Sequence, residues 1–74
     1  MRIVQKERLL VQEILPMLED GANTVIQMKK QTSLKDNDLK SVLRFGMSQW
    51  IRTGGASYTK LKKTSPKVYI AVTK

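Results

Sequence analysis

The chain has neither cysteine nor histidine among its 74 residues. That excludes disulfide staples, thiolate nucleophiles, the usual zinc ligands and the commonest general base near neutral pH. No apolar run approaches the roughly 18 residues a membrane-spanning helix needs. The charged start, Met1 to Arg8, is not followed by the long apolar stretch and small-residue cleavage site of a secretory signal. Low-complexity segments and repeats are absent too. One cytoplasmic domain, residues 1–74, without membrane contact is the expectation. Aromatics number four, so platforms for stacking unpaired bases are scarce.

Acidic residues are scarce in one part of the chain only. The first twenty residues carry three bases and four acids, whereas residues 21–74 carry eleven bases and two acids, Asp36 and Asp38. The net charge of +8 therefore belongs to one region, as in a surface built to meet a polyanion. A chain this short buries only about 60% of its unfolded surface, so its core is small and depends on well-patterned elements.

The elements follow from periodicity. Ile3, Leu10, Val11, Ile14, Met17 and Leu18 recur at helical spacing and predict a helix over 3–19. Pro16 should kink or loosen its last turn, and Gly21 ends it. Asn23 or Thr24 caps a short helix over 24–31, with room for a brief extended piece near Asn23–Val25. Leu39, Val42, Leu43, Gly46, Met47 and Trp50 then form an uninterrupted stripe, predicting a helix over 36–52 with Asp36 and Asp38 at its positive end. Glycine at position 46 costs about 1 kcal/mol in a helix interior, so it should admit a close neighbour. Trp50 could stack on a base, but on this spacing the core is its expected place; Phe45 falls between stripe positions and is expected at the surface or at a partner contact. Ser57 to Lys62 and Lys67 to Thr73 read as strands over 57–62 and 67–73. Leu61 faces inward on the first, and Val68, Ile70 and Val72 form one apolar face on the second.

No catalytic constellation emerges. Asp36 and Asp38 are paired carboxylates without a histidine, a further acid or a metal-binding loop, so helix-start electrostatics accounts for them better than acid–base chemistry. Gly54-Gly55 lacks the preceding strand and the Gly-Lys-Ser/Thr of a phosphate loop, and reads as a helix stop and hinge. A non-enzyme without cofactor or metal is expected.

Residues Thr24 to Leu43 have the layout of a helix-turn-helix: a short helix, a tight turn plugged by Leu34, and a longer helix with acids at its start. Followed by Met47, Trp50, Ile51 and a hairpin, the chain resembles the winged helix-turn-helix family of DNA-binding domains over nearly its whole length. Ser33 stands where such domains often have glycine. The resemblance implies an α+β fold of three helices and a two-stranded β-hairpin wing, with the second helix of the motif lying in the major groove of double-stranded DNA. Base reading would then fall to Asn37, Lys40, Ser41, Arg44 and Ser48. Backbone contact would fall to Lys29, Lys30 and Lys35 and to Lys60, Lys62, Lys63, Thr64 and Lys67 on a projecting wing. Lysines on a hairpin also guard edge strands against aggregation. The first helix, with Ile3, Val4 and Val11 to spare, would form a homodimer contact.

The expectation is a small transcriptional regulator, phage- or plasmid-like, nucleoid-associated in a prokaryote. The alternatives are a winged-helix module docking an acidic protein, or a binder of RNA or single strands.

Overall fold

The computed structural model describes residues 1–74. Its first helical stretch, α1 (residues 3–17), is α-helical over Ile3–Leu9, widens to a π-helix over Leu10–Ile14 and narrows again over Leu15–Met17. Pro16 accounts for the widening. Its ring would collide with the carbonyl four residues back and it has no N–H to donate there. The turn before it opens instead, and the Leu15 N–H reaches the Leu10 carbonyl five residues away. Leu10, Ile14 and Leu18 are buried along one side of this stretch.

Asn23–Thr24 form β1, and Val25–Gln31 form α2. The Thr24 hydroxyl caps α2 by accepting from the Gln27 N–H at 3.2 Å, as its side chain predicts. Asp36–Ser48 form α3, with Leu39, Val42, Leu43 and Gly46 of the expected stripe all buried. Gly46 has the close neighbours the stripe demanded. A Cβ there would stand 2.7 Å from Leu61 Cδ1 and 3.1 Å from Leu10 Cδ1. Helix α1, helix α3 and Leu61 of the sheet therefore meet at a position with no side chain.

The chain leaves α3 earlier than the expected residue 52. Ser48 Oγ donates to the Phe45 carbonyl at 2.9 Å and Gln49 is already extended, a local bond that competes with the next helical turn. Ile51–Gly54 then form β2, which the sequence reading missed. Trp50, Ile51 and Thr53 favour strand, and pairing with β3 outweighs the helical spacing of Trp50. Gly54-Gly55 is thus a hairpin turn, with φ of +156° and +49°, rather than a hinge at a helix end.

Ser57–Ser65 form β3 and Val68–Thr73 form β4, longer by three residues and shorter by one than expected. The four strands make an antiparallel sheet in the order β1-β4-β3-β2. Strand β2 pairs only with Ser57 to Thr59 of β3, so Lys60, Lys62 and Lys63 lie where that side of the strand is unpaired and edge protection is one role open to them. The turn at Pro66-Lys67 does not project. It is tied down by the pairing of Thr24 with Val68 and by the Val25 N–H donating to the Lys67 carbonyl at 2.9 Å.

The helices cover one face of the sheet. Leu61 and Tyr69 are buried on that face, and the register sets Leu61 opposite Ala71. The apolar side of β4 therefore points away from the helices: Val68 and Ile70 are half-buried on the open face and Val72 is exposed. The register rather than the apolar alternation sets this facing, because Ala71 pairs with Leu61 and Tyr69 with Lys63 on the covered side. Phe45 is buried, contrary to expectation, and joins the core cluster. No helix is long and apolar enough to cross a membrane.

Candidate nucleic-acid interface

Where α2, the first turns of α3 and the β3–β4 turn converge, they enclose an open cleft of about 350 Å³. Each element contributes a cation: Lys29 from α2, Lys40 from α3, Lys63 from β3 and Lys67 from the turn. Tyr69, Leu39 and Leu43 supply its apolar lining. Local structure explains each placement. Lys29 lies in the last turn of α2. Lys40 falls on the outer flank of α3, one position after buried Leu39. Lys63 stands opposite Tyr69 in the sheet, its ammonium 6.0 Å from the ring centroid. Lys67 occupies the left-handed region at φ +66°, which costs a side-chain-bearing residue about 1–2 kcal/mol. Glycine would hold that turn with less strain, yet the position carries a cation aimed at the cleft.

One acid lines the cleft. Asp36 is paired with Lys29 at 2.6 Å. The hydrogen bond and charge of Lys29, aided by the charge of Lys40 and opposed by slight desolvation, hold its carboxyl below the ordinary carboxylate range. The pair joins α2 to the start of α3 across the intervening turn. Both side chains remain substantially exposed, so solvent screens the pair heavily.

Compared with known proteins, the chain matches no family model, no curated protein and no solved structure.

The remaining sequence-predicted residues divide. Asn37, Lys40, Arg44 and Ser48 are exposed and Ser41 half-buried along the outer side of α3, opposite its core stripe. Ser41, Arg44 and Ser48 also line a shallow groove against α1, with Ile3 and Lys6 on its far wall. Lys30 and Lys35 are exposed but do not line the cleft. Thr64 is exposed where the β3–β4 register shifts, between Lys63 and Ser65.

Lys60 and Lys62 do not join the other expected backbone contacts. Strand alternation turns them to the open face of the sheet, because Thr59 and Leu61 take the buried side. There they meet Trp50, which is 38% exposed rather than in the core. Lys6, Tyr58, Arg52 and Lys74 are the surface residues the sequence reading passed over, and Trp50 is the one it assigned to the core instead. The alternation of Tyr58, Lys60 and Lys62 was visible in the sequence, but the burial of its opposite side was assigned through Leu61 alone.

Proposed function

We propose that this protein is a non-enzymatic binder of double-stranded DNA and a transcriptional regulator. In this reading α3 enters the major groove and the lysine cleft grips the adjoining backbone. One observation carries it: Lys29, Lys40, Lys63 and Lys67, from four separate elements, surround one cleft beside the exposed side of a helix. The single acid among them is already neutralised by Lys29. Four elements converging on one charge sign exceed what a solvated surface requires, and phosphate is the partner such a cradle fits.

The order of helix, strand, two helices and hairpin, with β1 pairing to β4, supports a winged-helix reading of the α+β fold. The extra strand β2 and the tied-down β3–β4 turn depart from it, so backbone contact is assigned to the cleft rather than to a free wing tip. Along α3, Arg44 and Asn37 are suited to pair with guanine and adenine through two hydrogen bonds each. Ile3 and Val4 are 61% and 72% exposed at the start of α1 and are the proposed dimer contact.

The test is a fluorescence-anisotropy titration of labelled duplex DNA at several salt concentrations. Phosphate contact by Lys40, Lys63 and Lys67, with Lys29 held by Asp36, predicts a slope of about −2.7 in log affinity against log salt. Absence of duplex binding at low salt would remove the proposal.

A further inference from the structure

The open face of the sheet carries a second cationic surface of different make. Trp50, Arg52, Tyr58, Lys60, Lys62 and Lys74 lie there. Arg52 stands opposite Tyr58, and Lys60 and Lys62 oppose Val72 and Ile70. Lys74 donates its backbone N–H to the Tyr58 carbonyl at 2.9 Å, which holds the end of the chain against β3. Trp50 is the hub. The ammonium groups of Lys60 and Lys74 lie 5.7 and 5.6 Å from its ring centroid, and the residue is 38% exposed. Tyr58 is likewise 38% exposed.

No acidic side chain occurs after Asp38, so none lies on any of the three strands that build this face. The surface therefore repels a second copy of itself and favours a polyanion. Its aromatic faces distinguish it from the lysine cleft. In a duplex the bases are stacked on one another and offer no free faces to these rings. Unpaired bases, by contrast, stack on exposed rings while the flanking cations take the phosphates. The two ammonium groups over the Trp50 ring must swing aside for a base to take the ring face, and the phosphates on either side of that base give them a place to go.

We infer that the open sheet face is a binding surface for single-stranded nucleic acid, with bases stacked on Trp50 and Tyr58 and phosphates held by Arg52, Lys60, Lys62 and Lys74. This surface is separate from the proposed duplex site, so the two readings stand or fall independently.

Trp50 is the sole tryptophan, and its fluorescence reports the site directly. The full chain is titrated with an oligodeoxythymidylate, an oligouridylate of equal length, a duplex of the same length, and vesicles containing phosphatidylserine. Quenching by one or both single strands, reversed by salt, is expected; the two oligomers separate DNA from RNA as its source. Trp50→Ala should weaken single-strand binding, followed by anisotropy of labelled oligomers, by roughly tenfold or more. Trp50→Phe, which keeps a stacking ring, should retain most of it. Lys60→Glu with Lys62→Glu should weaken single strands comparably while leaving duplex affinity intact, and that retained duplex binding or an unchanged circular dichroism spectrum certifies folding. The inference is overturned if neither single strand quenches Trp50 or if vesicles alone do. It is equally overturned if Trp50→Ala and Trp50→Phe bind single strands as well as the parent chain.

Discussion

The lysine cleft and the open sheet face each gather four cations, but they differ in what lies between them. In the cleft, Lys29, Lys40, Lys63 and Lys67 surround an apolar floor whose aromatic, Tyr69, is buried, and an acid already paired. On the sheet face, Arg52, Lys60, Lys62 and Lys74 surround two exposed rings and no acid. Positive charge alone attracts any polyanion. The material between the charges decides which conformation of strand fits: a recessed cradle beside a helix suits a duplex backbone, and open rings suit unstacked bases. The two surfaces sit on opposite sides of one strand, β3, whose alternation sends Leu61 and Lys63 one way and Lys60 and Lys62 the other.

Removing the partition between them should have the largest effect. Leu61→Ala leaves a cavity against Gly46 and Leu10 and should cost about 2–5 kcal/mol, measured by urea unfolding, with both binding activities falling together. Gly46→Ala overpacks the same contact. Its steric cost of about 1–3 kcal/mol exceeds the gain of about 1 kcal/mol in helix propensity, so it should also destabilise. The double variant should be more stable than the sum of the two predicts, because the added methyl occupies part of the vacated space. Simple additivity would contradict the packing account.

Charge reversal should split the surfaces. Lys40→Glu with Lys63→Glu is expected to lower duplex affinity by roughly 100-fold at low salt and to leave single-strand quenching of Trp50 unchanged. Equal losses on both ligands would mean that only net charge matters.

Lys67→Gly should trade function for stability. It relieves the left-handed strain at φ +66°, with a gain in thermal unfolding of up to about 1 kcal/mol. Removing a cleft cation should weaken duplex binding several-fold. A destabilised variant would refute the strain argument.

The smallest effect concerns Asp36. Its folded pKa is depressed, so its pairing stabilises the fold at neutral pH and that contribution disappears as pH falls through the acidic range below the ordinary carboxylate value. Asp36→Asn should flatten the acid limb of the stability profile slightly. It should also raise duplex affinity a few-fold by freeing Lys29, with single-strand binding unaffected.

The sequence revealed what depends on one periodicity at a time. The stripe from Leu39 to Gly46 is readable because all its members face one core, and the need for a small residue at 46 follows from its place on that stripe. Thr24 as a cap and Leu61 as an inward residue were legible for similar reasons. Trp50 was not, because it satisfies the helical spacing of α3 and the strand alternation of β2 at once. Only pairing between Ile51 and Thr59 decides between them. The facing of β4 was hidden in the same way. Val68, Ile70 and Val72 look like an inner face until the register places Ala71 beside Leu61 under the helices. Of the residues assigned to DNA contact, Lys29, Lys40, Lys63 and Lys67 come together, whereas Lys60 and Lys62 lie across the sheet. The division rests on strand alternation that single-residue charge does not carry.

The most direct measurement is the salt dependence of duplex affinity for the parent chain beside Lys40→Glu with Lys63→Glu. The cleft assignment predicts that the parent slope of about −2.7 falls to about a third when two of the three free phosphate contacts are lost. An unchanged slope, or no duplex binding by the parent at low salt, would contradict it.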